Sequence, residues 1–315
     1  MIQMKDDNGR NSTDFYKSFK GTLGRSSKFW SAFCLLHGVR ISVHDCSLDV
    51  LKGSRQIRLS RDHLPYLRDL GPYFDAYFHA TRPPDEQEPH VRDYSGIRDW
   101  QYEVWPDGPI TTPSLPEFSE TIDQYIQVLK PQQGEIGLDL GAYSGLVSLA
   151  FRRAVGESGR VVAVEADETS LSCCSDNFSR YRSDVGNVDL LHAAVWSSDG
   201  EVNFSAEGSL GSAVGLGRNK HLDDVVPSMT LSSIVTWFGL ERVDFVKADI
   251  EGAETEMLKD RAFFESFKPR IVMELPDSSR RTLRRYRSIM QDYGYETFKV
   301  SQANCRLNLL VGLPG

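Results

Sequence analysis

Residues Glu135 to Glu165 constrain the fold more than any other part of the chain, because they read as a strand, a glycine-punctuated turn, a helix and a second strand that ends on an acid. The first strand and turn are Glu-Ile-Gly-Leu-Asp-Leu-Gly-Ala-Tyr-Ser-Gly, residues 135–145. The spacing predicts a helix over 146–154, and Arg-Val-Val-Ala-Val-Glu, residues 160–165, closes the unit. Strands joined through a helix lie parallel in one sheet. Gly141 and Gly145 allow a sharp turn at the sheet's carboxyl edge, and the helix starting near Gly145 aims its free N–H groups at the same place. Glu165 stands where a carboxylate can accept hydrogen bonds from both hydroxyls of a ribose.

The turn is a poor dinucleotide site. Ala142 and Tyr143 stand where G-x-G-x-x-G needs a second glycine and room for a pyrophosphate. Asp139 puts a carboxylate beside the ligand's chain, which disfavours phosphate and suits an ammonium. S-adenosylmethionine carries both that ammonium and a ribose, so it is the expected cofactor. A nicotinamide-dependent oxidoreductase and a non-catalytic nucleoside-binding module are the rival classes.

From Glu117 onward strand and helix patterns alternate, as in a parallel sheet. Strands are expected at 136–140, 161–165, 188–193, 243–248 and 271–275, with 296–300 and 307–311 too close together to be anything but an antiparallel hairpin. Helices are expected at 118–129, 146–154, 169–181, 254–264 and 278–293. Asp199-Gly200 reads as a tight turn leading into a short strand that ends at Phe204. The Gly-rich, polar stretch 208–227 lacks core residues and is a candidate substrate loop. Residues 1–116 are expected to form a separate helical or irregular lobe, for the acceptor or for self-association, with Pro83-Pro84-Asp-Glu-Gln-Glu as a surface loop. The proline-rich stretch 105–116 joins it to a catalytic domain over 117–315.

The second informative segment is Val243-Asp-Phe-Val-Lys-Ala-Asp-Ile-Glu-Gly-Ala-Glu254. A strand ends here at Asp249, and a helix is expected to open with Glu251 and Glu254 on one face. As the fourth strand of the sheet, it brings Asp249 and Glu251 beside the first strand's turn, where open parallel sheets bind ligands. Asp249 is the first candidate for a catalytic base and Glu251 the second, whereas Glu254 reads as a dipole-stabilising acid at a helix start. Glu274 ends the fifth strand at the same edge and suits acceptor hydroxyls. Three carboxylates also suit a metal, but the reading carries none. His192, near the end of the third strand, reads equally well as an adenine contact or a satisfied core histidine, with the Ala193 backbone against the purine in either case.

Asp139-Leu-Gly-Ala-Tyr-Ser-Gly, Val164-Glu-Ala and Lys247-Ala-Asp-Ile-Glu-Gly-Ala-Glu254 together resemble the FkbM-type methyltransferases, a branch of the S-adenosylmethionine-dependent class I enzymes. The resemblance covers roughly residues 117–311. It implies a Rossmann-like α/β fold with a seven-stranded sheet in order 3-2-1-4-5-7-6, and O-methylation of sugar or natural-product hydroxyls. It further implies that Gly141, Ala142, Tyr143 and Gly145 line the methionine end, while Glu165, with Ala166 beside it, takes the ribose. Residues 1–116 have no counterpart in that resemblance.

Charge and cysteine content narrow the partners. The net charge of −8 is unevenly spread: residues 11–70 hold ten Lys/Arg against five Asp/Glu, and the chain from Gly71 on carries −13. Arg280, Arg281, Arg284, Arg285 and Arg287 share one helix face and are the best hint of nucleic acid, but no RNA-binding motif accompanies them and overall acidity opposes backbone binding. A small-molecule or glycan acceptor is therefore expected, and a homo-oligomer is compatible. The five cysteines show neither metal-ligand spacing nor a disulfide framework. No signal peptide or bilayer-spanning run is read, so the cytoplasm is the expected compartment.

Overall fold

The computed structural model describes residues 2–4, 27–44, 47–60, 66–82, 89–102, 108–205, 213–214, 224–275, 279–305 and 308–315. They fall into two compact units, Met1–Phe118 and Ser119–Gly315.

The first unit contains β1 (Ile2–Met4), α1 (Ser27–His37), β2 (Arg40–Val43), β3 (Ser47–Lys52), β4 (Arg55–Ser60), α2 (Leu67–His79), β5 (Val91–Asp93), β6 (Arg98–Gln101) and β7 (Pro109–Thr112). Its first five strands form one sheet in order β1-β2-β3-β4-β5, and β6 pairs with β7. The expected helical or irregular lobe is thus corrected to a mixed α/β unit. Leu48 and Val50 on β3, and Ile57 and Leu59 on β4, alternate as buried residues around the turn at Gly53. That period of two is the signature of a half-buried hairpin. Charged residues mask it in the sequence. Asp49 is buried between these strands, where Arg58 and His44 bond its carboxylate. The stretch expected to be a join is partly built into this unit, with Ile110 of β7 fully buried. Residues 83–88 lie outside the described residues.

The second unit runs α3 (Ser119–Leu129), β8 (Ile136–Leu140), α4 (Leu146–Val155), β9 (Arg160–Glu165), α5 (Glu168–Val185), β10 (Asp189–His192), β11 (Ala194–Val195), β12 (Gly200–Ser205), β13 (Ala213–Val214), β14 (Asp224–Met229), α6 (Leu231–Phe238) and β15 (Phe245–Ala248). It ends with α7 (Glu254–Met257), α8 (Arg261–Phe267), β16 (Arg270–Glu274), α9 (Arg280–Asp292), β17 (Tyr295–Ser301) and β18 (Asn308–Pro314). Seven strands make one sheet in order β10-β9-β8-β15-β16-β18-β17, which by chain position is 3-2-1-4-5-7-6. All neighbours are parallel except around β18, which runs antiparallel to β16 and β17. The central strands are buried on both faces, as parallel sheets under helices require. Gly137 on β8 has no side chain because the Phe245 ring of β15 fills that space, and Phe245 in turn meets Phe151 of α4 edge to face.

Two local expectations are corrected. The helix expected over 254–264 is two helices, because the Asp260 carboxylate accepts hydrogen bonds from Phe263 N–H and from the backbone and hydroxyl of Ser232, starting a new helix there. The stretch 208–227 is not uniformly loop: β14 begins at Asp224, and Val226 is buried against Phe204, Ala166 and Ala194 in a small sheet ordered β11-β14-β12-β13. Residues 206–212 and 215–223 lie outside the described residues.

Candidate active site

The turn after β8 is fixed by the strand beside it and the strand across from it. Gly141 has φ +75°, and the N–H groups of Gly141 and Ala142 both reach the Val164 carbonyl of β9. A Cβ on Gly141 would lie 1.9 Å from the Asp249 carbonyl oxygen. Glycine here is demanded by the approach of two backbone segments, whether or not a ligand is bound. Gly145, at φ +79°, packs against Phe178 of α5 and starts α4. Lys247 of β15 locks the same turn: its ammonium donates to the Gly141 carbonyl at 2.6 Å and pairs with Asp139 at 3.2 Å.

Glu165 closes the other side. Its Oε1 accepts from the N–H groups of Ala166 and Asp167 and its Oε2 from Tyr143 N–H, all at 2.8 Å. A carboxylate has about four acceptor positions, so one remains, on Oε2. Burial raises the Glu165 carboxyl above its usual range despite these backbone bonds, which pull the other way. Asp167 then caps α5 by accepting from Ser170 N–H.

Between these groups lies a cleft of about 610 Å³, its open mouth included, lined by Gly141, Tyr143, Glu165, Ala166, Ala193, Val195, Phe204, Asp249, Ile250 and Glu251 among others. An apolar wall beside a buried carboxylate with one open acceptor position fits an adenine nucleoside. Asp249, on the same lining, is partly buried; burial raises its carboxyl above the ordinary range, Lys247 opposes the shift and Asp139 adds to it.

Residues 139–297 match the methyltransferase FkbM domain family. The chain belongs to that family. Its cofactor is S-adenosylmethionine. Solved structures similar to the chain include the methyltransferase FkbM of Methylobacillus flagellatus KT, 14% identical with a TM-score of 0.45, covering 91% of this chain and 71% of that one. Another is Aeropyrum pernix fibrillarin in complex with S-adenosyl-L-methionine, 13% identical with a TM-score of 0.40, covering 87% and 97% of the respective chains. The precorrin-6y C5,15-methyltransferase of Geobacter metallireducens GS-15 is 17% identical with a TM-score of 0.40, covering 65% of this chain and 94% of that one. No curated protein matches the chain.

Within this FkbM domain the structure brings seven of the expected site residues to the cleft: Gly141, Tyr143, Glu165, Ala166, Ala193, Asp249 and Glu251. Five others stand back from it. Asp139 is fully buried on the side of β8 facing α4, where Ser148 donates to it at 2.5 Å, so its charge is answered by Lys247 and not by a ligand ammonium. Ala142 and Gly145 shape the turn without lining the cleft; Gly145 N–H bonds the Ala142 carbonyl. The His192 Nε2 lies 3.0 Å from the Ala166 carbonyl, and His192 is not among the residues that line the cleft. Glu274 is partly buried and does not line the cleft; it is bonded to Gln302, and its carboxyl is raised well above the usual range by burial and then by Asp249.

Glu251 and Glu254 do not share a helical face, because Glu251 sits at φ +49° in a tight turn and the helix begins only at Glu254. Glu254 is 1% exposed, and its two oxygens accept from Ile250 N–H at 3.3 Å and Gly252 N–H at 3.0 Å. It clamps the turn that carries Asp249 and Glu251. Burial pushes its carboxyl up to about 7, with Asp249 nearby adding to the shift. Sequence reasoning missed Phe204 and Val195; the alternation of Val202 and Phe204 after the Asp199-Gly200 turn was the available signal. Among the described residues, no group of three or more His, Cys, Asp or Glu is arranged to hold a metal ion, and no helix is long and apolar enough to cross a membrane.

Proposed function

We propose that the protein is an O-methyltransferase acting on a hydroxyl of a sugar, glycoconjugate or natural product. The observation that carries this reading is Asp249: a carboxylate of raised proton affinity at the cleft, beside the glycine turn. S-adenosylmethionine supplies a methyl group already activated by its sulfonium charge. The acceptor is the weak partner, since a hydroxyl is a poor nucleophile near neutral pH unless a base takes its proton, an effect of about 10²-fold or more. Asp249 takes that proton, and its raised pKa moves it toward the operating pH, where a general base works best. Glu251, the second carboxylate on the cleft, orients the acceptor hydroxyl. Glu165 offers its one open acceptor position to a ribose hydroxyl, and Phe204 and Val195 supply the apolar wall for the purine. Lys247, bonded to Asp139 and to the glycine turn, holds the geometry and passes no proton.

The N-terminal unit is assigned acceptor selection or self-association.

The test is Asp249→Asn, which keeps the shape and one acceptor oxygen but cannot take a proton. Single-turnover methyl transfer to a competent hydroxylated acceptor should fall about a hundredfold or more while S-adenosylmethionine affinity changes little. A near wild-type rate removes Asp249 as the base and moves that role to Glu251.

A further inference from the structure

Helix α9 has an unusual distribution of charge. Arg280, Arg281, Arg284 and Arg285 fall in its first two turns and are exposed, while the first turn holds no acid and the last turn no base. At 100° per residue they occupy an arc of about 140°, opposite the buried Tyr286 and Met290. Every feature of this arrangement opposes helix stability. Cations at a helix N-terminus face the positive end of the macrodipole, and Arg280 with Arg284 and Arg281 with Arg285 are like-charge neighbours four apart. No ion pair joins any of the four to a described acid. Glu256, whose carboxylate feels the charge of Arg285, is already held by Lys259 at 2.5 Å and Ser197 at 2.6 Å.

The position of the helix relates this charge to the cleft. α9 follows β16, so it begins at the sheet's carboxyl edge. Its inner face reaches the short helix behind the cleft-lining turn: the Tyr286 hydroxyl lies 3.3 Å from Thr255 Oγ1 and 3.5 Å from Glu254 Oε2, the carboxylate that clamps the Asp249–Gly252 turn. The arginine face is therefore about one helix diameter, 10–12 Å, from that turn, within reach of an acceptor whose hydroxyl lies at Asp249.

We propose that Arg280, Arg281, Arg284 and Arg285 form a recognition surface for a phosphoryl or diphosphoryl group carried by the acceptor. Guanidinium groups bind phosphoryl oxygens through paired, charge-assisted hydrogen bonds. The inference rests on the methyltransferase reading for its link to the acceptor, but the charge anomaly stands apart from it.

The test uses the full chain, inorganic pyrophosphate as probe, and the variant R280Q/R281Q/R284Q/R285Q, whose altered side chains are exposed and whose fold is checked by circular dichroism. Calorimetry should show saturable pyrophosphate binding by the wild type, weakening as salt rises, and a loss of about tenfold or more in the variant. S-adenosylmethionine affinity, measured in parallel, should be equal in the two proteins. Absence of saturable binding, or equal pyrophosphate affinity in both, overturns the inference. A 12-nucleotide single-stranded RNA bound at 0.15 M salt with Kd below about 1 µM, tighter than sequence-independent backbone binding, also overturns it and assigns the face to nucleic acid. Loss of S-adenosylmethionine binding by the wild type is the separate outcome that would sink the methyltransferase reading.

Discussion

Glu165 shows how one side chain can serve the ligand and the fold together. Its position at the end of β9 is the expected place for a ribose acceptor, yet three of its roughly four acceptor positions are taken by the backbone N–H groups of Tyr143, Ala166 and Asp167. Those bonds tie the glycine turn to the start of α5 before any ligand arrives. Glu165→Ala should therefore do more than weaken the cofactor. Each buried N–H left unpaired costs about 1–3 kcal/mol, so urea denaturation should register a loss of about 3 kcal/mol or more, with S-adenosylmethionine binding lost as well. A variant that loses cofactor affinity at unchanged stability would mean that water replaces the carboxylate at these donors. Gly141 teaches the same lesson, since the Asp249 carbonyl fills the place of its missing Cβ.

At the scale of the element, the segment from Asp249 to Met257 is a tight turn leading into a short helix. Glu251 and Gly252 both have positive φ, and backbone in that region holds only where its surroundings enforce it. The enforcement comes from Glu254, through Ile250 N–H and Gly252 N–H, with the Tyr286 hydroxyl behind it. Glu254→Ala removes both acceptors. At pH 6, below the titration of this group near 7, the penalty for burying its charge is largely absent, so the missing hydrogen bonds should dominate. Stability should drop by about 2 kcal/mol or more, and turnover should fall more than cofactor affinity, because the turn carries Asp249 and Glu251. Glu254→Gln, retaining one acceptor, should lie between. Identical denaturation midpoints for the alanine variant and the wild type at pH 6 would reduce Glu254 to a surface-like helix-start acid.

For the whole molecule, four carboxyls at or near the cleft share the sign of their shift. Glu165, Asp249, Glu254 and Glu274 all have raised proton affinity, burial being the largest cause in each. A carboxyl raised in the folded state binds more protons there than in the unfolded chain, so its contribution is complete below the ordinary carboxylate range and is lost as pH rises toward the folded value. Glu254 alone, moved from 4.5 to about 7, accounts for about 3 kcal/mol over that window. Asp75, Asp199 and Glu256 are shifted downward, and their contributions are lost only as the pH falls below the ordinary range. Between pH 5 and 8 the buried acids should therefore dominate, and the melting midpoint should fall by about 5 °C or more. A midpoint that rises over this interval would mean that these carboxyls are ionised at little cost in the folded protein.

The second unit was legible in the sequence because its signals are local. Apolar runs of strand length, helical spacing from Leu146 and Thr169, and glycines at the turns each declare an element within a few residues, and alternation of strand and helix then limits the sheet to few arrangements. The cleft-lining set around Gly141, Glu165 and Asp249 follows from the same rule, since ligands gather where such strands end. What depended on neighbours distant in sequence required the tertiary structure. Whether Asp139 faced a ligand or Lys247 is set by the pairing of β8 with β15, which places the two charges side by side. The assignment of His192 to the Ala166 carbonyl, Glu254 to a clamp instead of a dipole, and Phe204 to the cleft wall is likewise decided by contacts across strands and turns. A residue's type and spacing determine what its side chain can do; which of those things it does depends on the partner that packing brings within about 3 Å.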